Sequence, residues 1–319
     1  MKKLVPLALA LVLGSTATAQ EWPSKPVRVV VPAPAGSSLD IIVRTMGDKL
    51  KDRWKQPIVV DNKAGAGGML GMDLVAKAPA DGHTLGIGFN GPIAFGPFMY
   101  KKMPYDPAKD LLPIVLTTSQ PNVLAVPANH PSKNLTEYLA WAKSQTNGVS
   151  YGSVGNGSSS HLTMELFRNT ANFQAVHIPF AGSPPAGLSI ASGETQGLFT
   201  VAPALLPLVS GGRVRLLAVT SAKRMDGFKD LPTVAESGFP GFEALAWNGL
   251  FTATGTPQTV VDRINADVNA VMQDPSVREA FAKQGLIMGG GSPASFKAFI
   301  DSEGQKWGAI IKKVGITID

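Results

Sequence analysis

Two stretches of the 319-residue sequence combine glycine, serine and a following helical pattern in a way that could hold an anion. The first is Pro34-Ala35-Gly36-Ser37-Ser38-Leu39-Asp40, after the apolar run Val29-Val30-Val31. The second is Gly155-Asn156-Gly157-Ser158-Ser159-Ser160-His161, after Val149-Ser150-Tyr151-Gly152. Amides in a helix's first turn lack intrahelical partners and sit at the positive end of its dipole. A carboxylate or phosphate can therefore be held there without Arg or Lys. Glycine lets the backbone approach closely, and serine adds hydroxyl donors. The two loops read as facing jaws of one cleft. Ser37 and Ser158 also suit ordinary helix capping. Ser37-x-x-Asp40 resembles a capping box, in which Asp40 fixes the loop rather than meeting an anion it would repel.

Other chemistry is poorly supported. His83, His130, His161 and His177 occur singly, with no H-x-x-x-H spacing, so neither a metal nor a cofactor is expected. His161 follows the second loop and could donate to an anion; packing or capping is the alternative. Trp247, beside Asn248-Gly249, fits a pocket wall or a core equally well. Gly86-Ile87-Gly88-Phe89-Asn90-Gly91 satisfies the bare G-x-G-x-x-G pattern, but Pro92, Gly96 and Pro97 follow where the pyrophosphate-binding helix should run. Phosphate-loop and nucleophile-elbow motifs are missing. The absence of Cys removes disulfides, thiolate ligands, a cysteine nucleophile and the Cys a lipid anchor needs.

The elements that must position the loops alternate. Short β-branched runs at 27–31, 58–60, 84–88, 114–117, 123–126, 149–152, 175–178, 198–201 and 214–220 read as strands. Helical patterns fall at 39–54, 69–77, 135–144, 162–170 and 184–191. The tail is helical at 257–273, 275–283 and 293–314, each opened by a proline, and is expected to wrap the first lobe. This alternation predicts an α/β protein of two lobes. Charged residues make up only 16% and the formal charge is +6, with no basic run beyond a Lys-Lys pair. Nucleic acid is not an expected partner. Lys2 and Lys3, the apolar stretch 4–13 and Ala17-Thr18-Ala19 read as a signal peptide covering 1–19. The mature chain would be exported, soluble and free in the periplasm.

At these residues the sequence resembles the Bug-type solute-binding receptors of the tripartite tricarboxylate transporter family. The resemblance rests on Trp22-Pro23-x-Lys25-Pro26-Val27, the 36–40 loop, Asp61-Asn62-Lys63-Ala64-Gly65-Ala66-Gly67-Gly68 and Asp81-Gly82-His83-Thr84-Leu85. It continues through Tyr105-Asp106-Pro107-x-Lys109-Asp110, Gly155-Asn156-Gly157-x-x-x-His161-Leu162, Leu217-Ala218-Val219-Thr220-x-x-x-Arg224 and Leu231-Pro232-Thr233-Val234-Ala235-Glu236-x-Gly238. These motifs run in order along nearly the whole chain.

The resemblance implies a periplasmic-binding-protein fold of the Venus-flytrap, type II-like kind, with a ligand cleft between lobes 20–120 plus 224–319 and 121–223. It implies capture of a small mono-, di- or aromatic carboxylate by lobe closure, delivery to a membrane permease, no catalysis and a monomeric state. The ligand loops would be Ala35-Gly36-Ser37-Ser38 and Gly155-Asn156-Gly157-Ser158, with Asn90, Ser119, Gln120, Ala181-Gly182 and Thr200 adding walls; His161 and Trp247 are further candidates. Family members commonly carry an acidic residue where this chain has Thr200-Val201-Ala202-Pro203, so an amino-acid ligand is less expected. The competing class is an exported enzyme acting on a carboxylate. It would need an acid or base converging on the loops, and only His161 and Asp40 qualify.

Overall fold

The computed structural model describes residues 22–225 and 228–318, so the expected leader 1–19 lies outside the described residues. In chain order come β1 (Val27–Val31), α1 (Ser38–Trp54), β2 (Ile58–Asn62), α2 (Met69–Ala76) and β3 (Thr84–Phe89). A helical turn at Gly91–Phe95 then leads into α3 (Gly96–Met99) and β4 (Leu111–Pro127). The middle holds α4 (Leu135–Ser144), β5 (Val149–Ser153), α5 (Ser159–Ala171), β6 (Ala175–Pro179), α6 (Ser183–Ser192), β7 (Gly197–Val201), α7 (Leu206–Ser210) and β8 (Val214–Val219). The chain ends with β9 (Leu245–Ala253), α8 (Gln258–Met272), α9 (Pro275–Ala282), β10 (Ile287–Gly290) and α10 (Pro293–Val314).

The sheet runs β2-β1-β3-β9-β4-β7-β5-β6, with β8 and β10 also paired to β4. β1 lies between β2 and β3, parallel to both, and buries nearly all of Val27–Val31. A valine run broken only by the half-buried Arg28 suits a parallel strand covered on both faces. β5 holds the matching place between β6 and β7, also in parallel. Each central strand delivers its Gly/Ser loop to a helix at its C-terminal end, the edge where ligands bind in open α/β sheets.

β4 joins the halves. Its residues from Leu111 to Pro121 pair antiparallel with β9, and those from Asn122 onward pair with β7 and β8. The sequence suggests separate strands at 114–117 and 123–126, because Pro113 and Pro121 each remove a ladder donor. Both prolines are tolerated by position: Pro113 sits at a register shift and Pro121 where β4 changes partners. The chain returns between β8 and β9, where the Ala244 amide donates to the Thr220 carbonyl at 3.0 Å.

Helices cover the sheet. Ile42, Met46 and Leu50 of α1 share a core with Val261, Ile264 and Val268 of α8, sealed by Trp54, whose Nε1 donates to Asp267 at 2.9 Å. Phe296, Trp307 and Ile311 of α10 pack with Phe95, Trp247 and Phe251. α10 also reaches α5, so the last helix touches both halves. Among the described residues no helix is long and apolar enough to cross a membrane.

Candidate functional site

The first loop is fixed by its own side chains. Ser37 caps α1 in an extended conformation, and its Oγ accepts from the Asp40 amide at 3.3 Å. The buried Asp40 carboxylate accepts from the Gly36 amide and from Arg44 Nε, both at 3.0 Å, and from Asn62 Nδ2 at 3.1 Å. Burial alone would raise the Asp40 pKa; the hydrogen bonds, that of Arg44 foremost, outweigh it and hold the carboxyl below its ordinary range. Asp40 thus shapes the loop, as its capping-box spacing implies.

The second loop repeats the device with different partners. Ser158 caps α5, its Oγ accepting from the His161 amide at 3.3 Å and donating to the Gly155 carbonyl at 2.7 Å. His161 Nδ1 accepts from the Gly157 amide at 3.2 Å. The His161 ring stacks on His177 with centroids 3.9 Å and planes 7° apart, and the Tyr151 ring lies nearly parallel to both, 4.9 Å from His177 and 6.4 Å from His161. Burial lowers the His161 pKa to about 4, and burial together with the neighbouring His161 lowers that of His177 to about 3. Both rings are neutral near pH 7. Beneath them Glu165 accepts from Tyr151 Oη at 2.6 Å and pairs with Arg168, which anchors α5 to β5.

The amides of Gly36 and Ser37 in the first loop, and of Gly155, Gly157 and Ser158 in the second, are engaged internally. The next amides are free: those of Ser38 and Leu39 in α1, and of Ser159 and Ser160 in α5, have no acceptor among the described residues. All four residues line one cavity of about 580 Å³ between the halves of the sheet. Among the described residues the lining has no Asp, Glu or His, and its one cation is Lys102, whose side chain is exposed. Among the described residues no three His, Asp or Glu side chains gather as metal ligands.

Of the residues expected at the site, Ser37, Ser38, Asn90, Gln120, Gly155 and Asn156 line the cavity, as do Ala181, Gly182 and Thr200. Ala35 and Gly36 instead face solvent on the outside of the first loop. Gly157, Ser158 and His161 lie behind the second loop; a Cβ on Gly157 would meet Met99 Cε at 2.6 Å rather than fill the cavity. The unpartnered amides of Ser38, Leu39, Ser159 and Ser160, which line the cavity, lie one to two residues beyond the caps. Ser119 fails by strand alternation, since neighbouring Gln120 takes the cavity face. Trp247 fails for the same reason. Ala246 and Asn248 face the cavity, while Trp247 packs under α10 against Phe296 and Phe299 and donates Nε1 to Glu303 at 3.2 Å.

Sequence reasoning missed Asn122, Asn248 and the 65–68 loop as cavity walls. The signal for the last was present in Gly65-Ala66-Gly67-Gly68. Gly67, at φ 62°, lies directly against the Asn156 carbonyl of the opposite side. Two more glycines mark where the sides meet. A Cβ on Gly91 would stand 2.9 Å from the Gly157 carbonyl oxygen, and one on Gly182 would stand 2.5 Å from Pro34 Cδ. At Gly67 and Gly91 the two sides meet main chain to main chain, and at Gly182 the main chain meets the Pro34 ring.

Comparison with known proteins agrees with this geometry. The profile of the tripartite tricarboxylate transporter family receptor matches residues 42–316. The chain is 38% identical over 311 residues to the UPF0065 protein in the tcbD-tcbE intergenic region of Pseudomonas sp., covering 97% of this chain and 92% of that one. It is 32% identical over 304 residues to protein BugT of Bordetella pertussis, covering 95% and 93%. The solved structure of R. palustris Rpa4515 with adipate superposes with a TM-score of 0.91 at 33% identity, covering 93% of this chain and 99% of the other. With the motifs in order, the fold shared and the profile spanning most of its length, the chain belongs to the Bug-type receptors of the tripartite tricarboxylate transporter family.

Proposed function

We propose that this protein is a periplasmic receptor that captures a small carboxylate by lobe closure and hands it to a tripartite tricarboxylate-type permease. The observation that carries the reading is the convergence of four unpartnered main-chain amides, at Ser38, Leu39, Ser159 and Ser160, on one cavity that has no acidic side chain among the described residues. Two helix N-termini aimed at one space favour a single negative group between them. The adipate held by the R. palustris relative is such a ligand.

The lobes are 20–120 plus 224–319 and 121–223, and closure is a hinge motion at the two strand crossings, biased by a ligand that touches both sides. Support for the hinge comes from the change of β4 partners at Pro121–Asn122 and from glycines at the contacts between the sides. The leader 1–19 directs export, and the receptor works as a monomer. Among the described residues no Asp, Glu or His lines the cavity to serve as an acid or base, which argues against the enzyme reading. The test is native mass spectrometry of protein purified without denaturation, followed by a thermal-shift panel of mono-, di-, tricarboxylic and aromatic acids. A retained or stabilising acid supports the reading. A panel with no stabilising acid contradicts it.

A further inference from the structure

The wall that β4 and β9 give the cavity carries an amide–hydroxyl–amide chain. Thr118, Gln120 and Asn122 alternate along β4 and so share one face, and Thr118 pairs in register with Asn248 of β9. Asn248 Nδ2 donates to Thr118 Oγ1 at 2.9 Å, and Thr118 Oγ1 donates to Gln120 Oε1 at 3.2 Å. All three residues are buried, and Gln120 and Asn248 line the cavity. A hydroxyl has one proton, so this chain has a direction. Turning both amides over reverses it, and either direction leaves one amide NH2 and one amide oxygen unused at its ends. In the arrangement described, Gln120 Nε2 and Asn248 Oδ1 have no partner among the described residues.

A second carboxylate on the ligand would present only lone pairs to whichever amide oxygen the chain leaves free. A methyl end would leave both the free NH2 and the free oxygen unpaired. Both arrangements cost the desolvation of buried polar atoms. Lys102 is exposed and offers a buried second carboxylate little compensation.

Building on the reading that the two helix termini hold one carboxylate, we propose that the ligand's other end is a neutral group that both donates and accepts, as a carboxamide or hydroxyl does, selected by Gln120, Thr118 and Asn248. The test is calorimetric titration of the full chain with four six-carbon acids: hexanoate, adipate, 6-hydroxyhexanoate and adipamate, the monoamide of adipate. The amide and the hydroxy acid should bind at least about tenfold more tightly than hexanoate or adipate, the factor expected for one well-made buried hydrogen bond. Thr118→Val keeps the side-chain shape while cutting the chain. It should shrink the adipamate-to-hexanoate preference by at least about threefold. Adipate or hexanoate binding as tightly as adipamate to the wild-type protein would overturn the selector and leave the carboxylate reading standing. Failure of all four acids would overturn the selector; failure of the wider acid panel as well would overturn the carboxylate reading. The wild-type comparison decides the matter even if Thr118→Val does not fold.

Discussion

Replacing Gly91 by alanine should separate closure from folding. Gly91 sits in a helical turn and is not among the glycines with positive φ, so its backbone suits alanine. The obstacle is across the cleft, where the added Cβ would lie 2.9 Å from the Gly157 carbonyl oxygen and 2.9 Å from Phe89 Cε2. The Phe89 ring edge can move; a main-chain carbonyl held beside the α5 cap cannot easily do so. The two sides must therefore stand off by about 0.5 Å to restore ordinary contact. Overpacking of this kind costs about 1–3 kcal/mol. The penalty falls on the closed form, which is the form the ligand selects. At 1.4 kcal/mol per tenfold, the ligand's Kd should rise by about 5- to 150-fold. The ligand-free protein should lose little, because alanine is favoured over glycine inside a helix by about 0.5–1 kcal/mol. Calorimetric Kd and ligand-free Tm of Gly91→Ala, set beside the wild type, check both halves. An unchanged Kd, or a ligand-free Tm lowered by more than about 5 °C, would show that the contact does not gate closure.

The loop chemistry yields three further expectations. Ser158→Ala removes a cap and the tie to the Gly155 carbonyl, so stability should fall by about 1–2 kcal/mol, while Kd measured well below Tm stays within about threefold. A tenfold loss of affinity without destabilisation would return Ser158 to the ligand contacts. Asp40→Asn weakens a carboxylate accepting from Gly36, Arg44 and Asn62, at about 1–3 kcal/mol of stability near pH 7. Because folding depresses the Asp40 pKa, its contribution is present above the unfolded value and is lost as pH falls through the folded one. Denaturant midpoints of wild type and Asp40→Asn should therefore converge in acid, and a constant gap would contradict the assignment. His161 and His177, lowered to about 4 and about 3, stay neutral in the fold while their unfolded forms protonate near the ordinary histidine value of 6.5. The unfolded chain then binds more protons, so the two rings make stability fall as pH drops from about 6.5 toward 4. His177→Phe preserves the stack and should flatten that stretch of the stability curve; an unchanged slope would refute the origin.

The two jaws were legible because a buried strand, a Gly/Ser loop and a capped helix form a local pattern. Their fine register was not, because Ser-x-x-Asp and Ser-x-x-His bind the cap inward and leave the unpartnered, cavity-lining amides to Ser38, Leu39, Ser159 and Ser160. Strand β9 went unread since Leu245–Ala253 is buried nearly throughout and shows no alternation, and β10 is rich in glycine. Without β9, the side on which Trp247 falls could not be assigned, nor could Asn248 be recognised beside Thr118. The stack of His161 on His177 arises from the β5–β6 pairing that sets Tyr151 against His177, a long-range register no local motif records.

The central claim is that main-chain amides from two helix termini hold one carboxylate. Amide proton and nitrogen shifts of uniformly labelled protein, followed during titration with the acid identified by the panel, address it directly. Ser38, Leu39, Ser159 and Ser160 should show large downfield proton shifts that saturate together, with one Kd, as their unpartnered N–H groups gain a charged acceptor. Binding that leaves either pair unmoved would contradict the account.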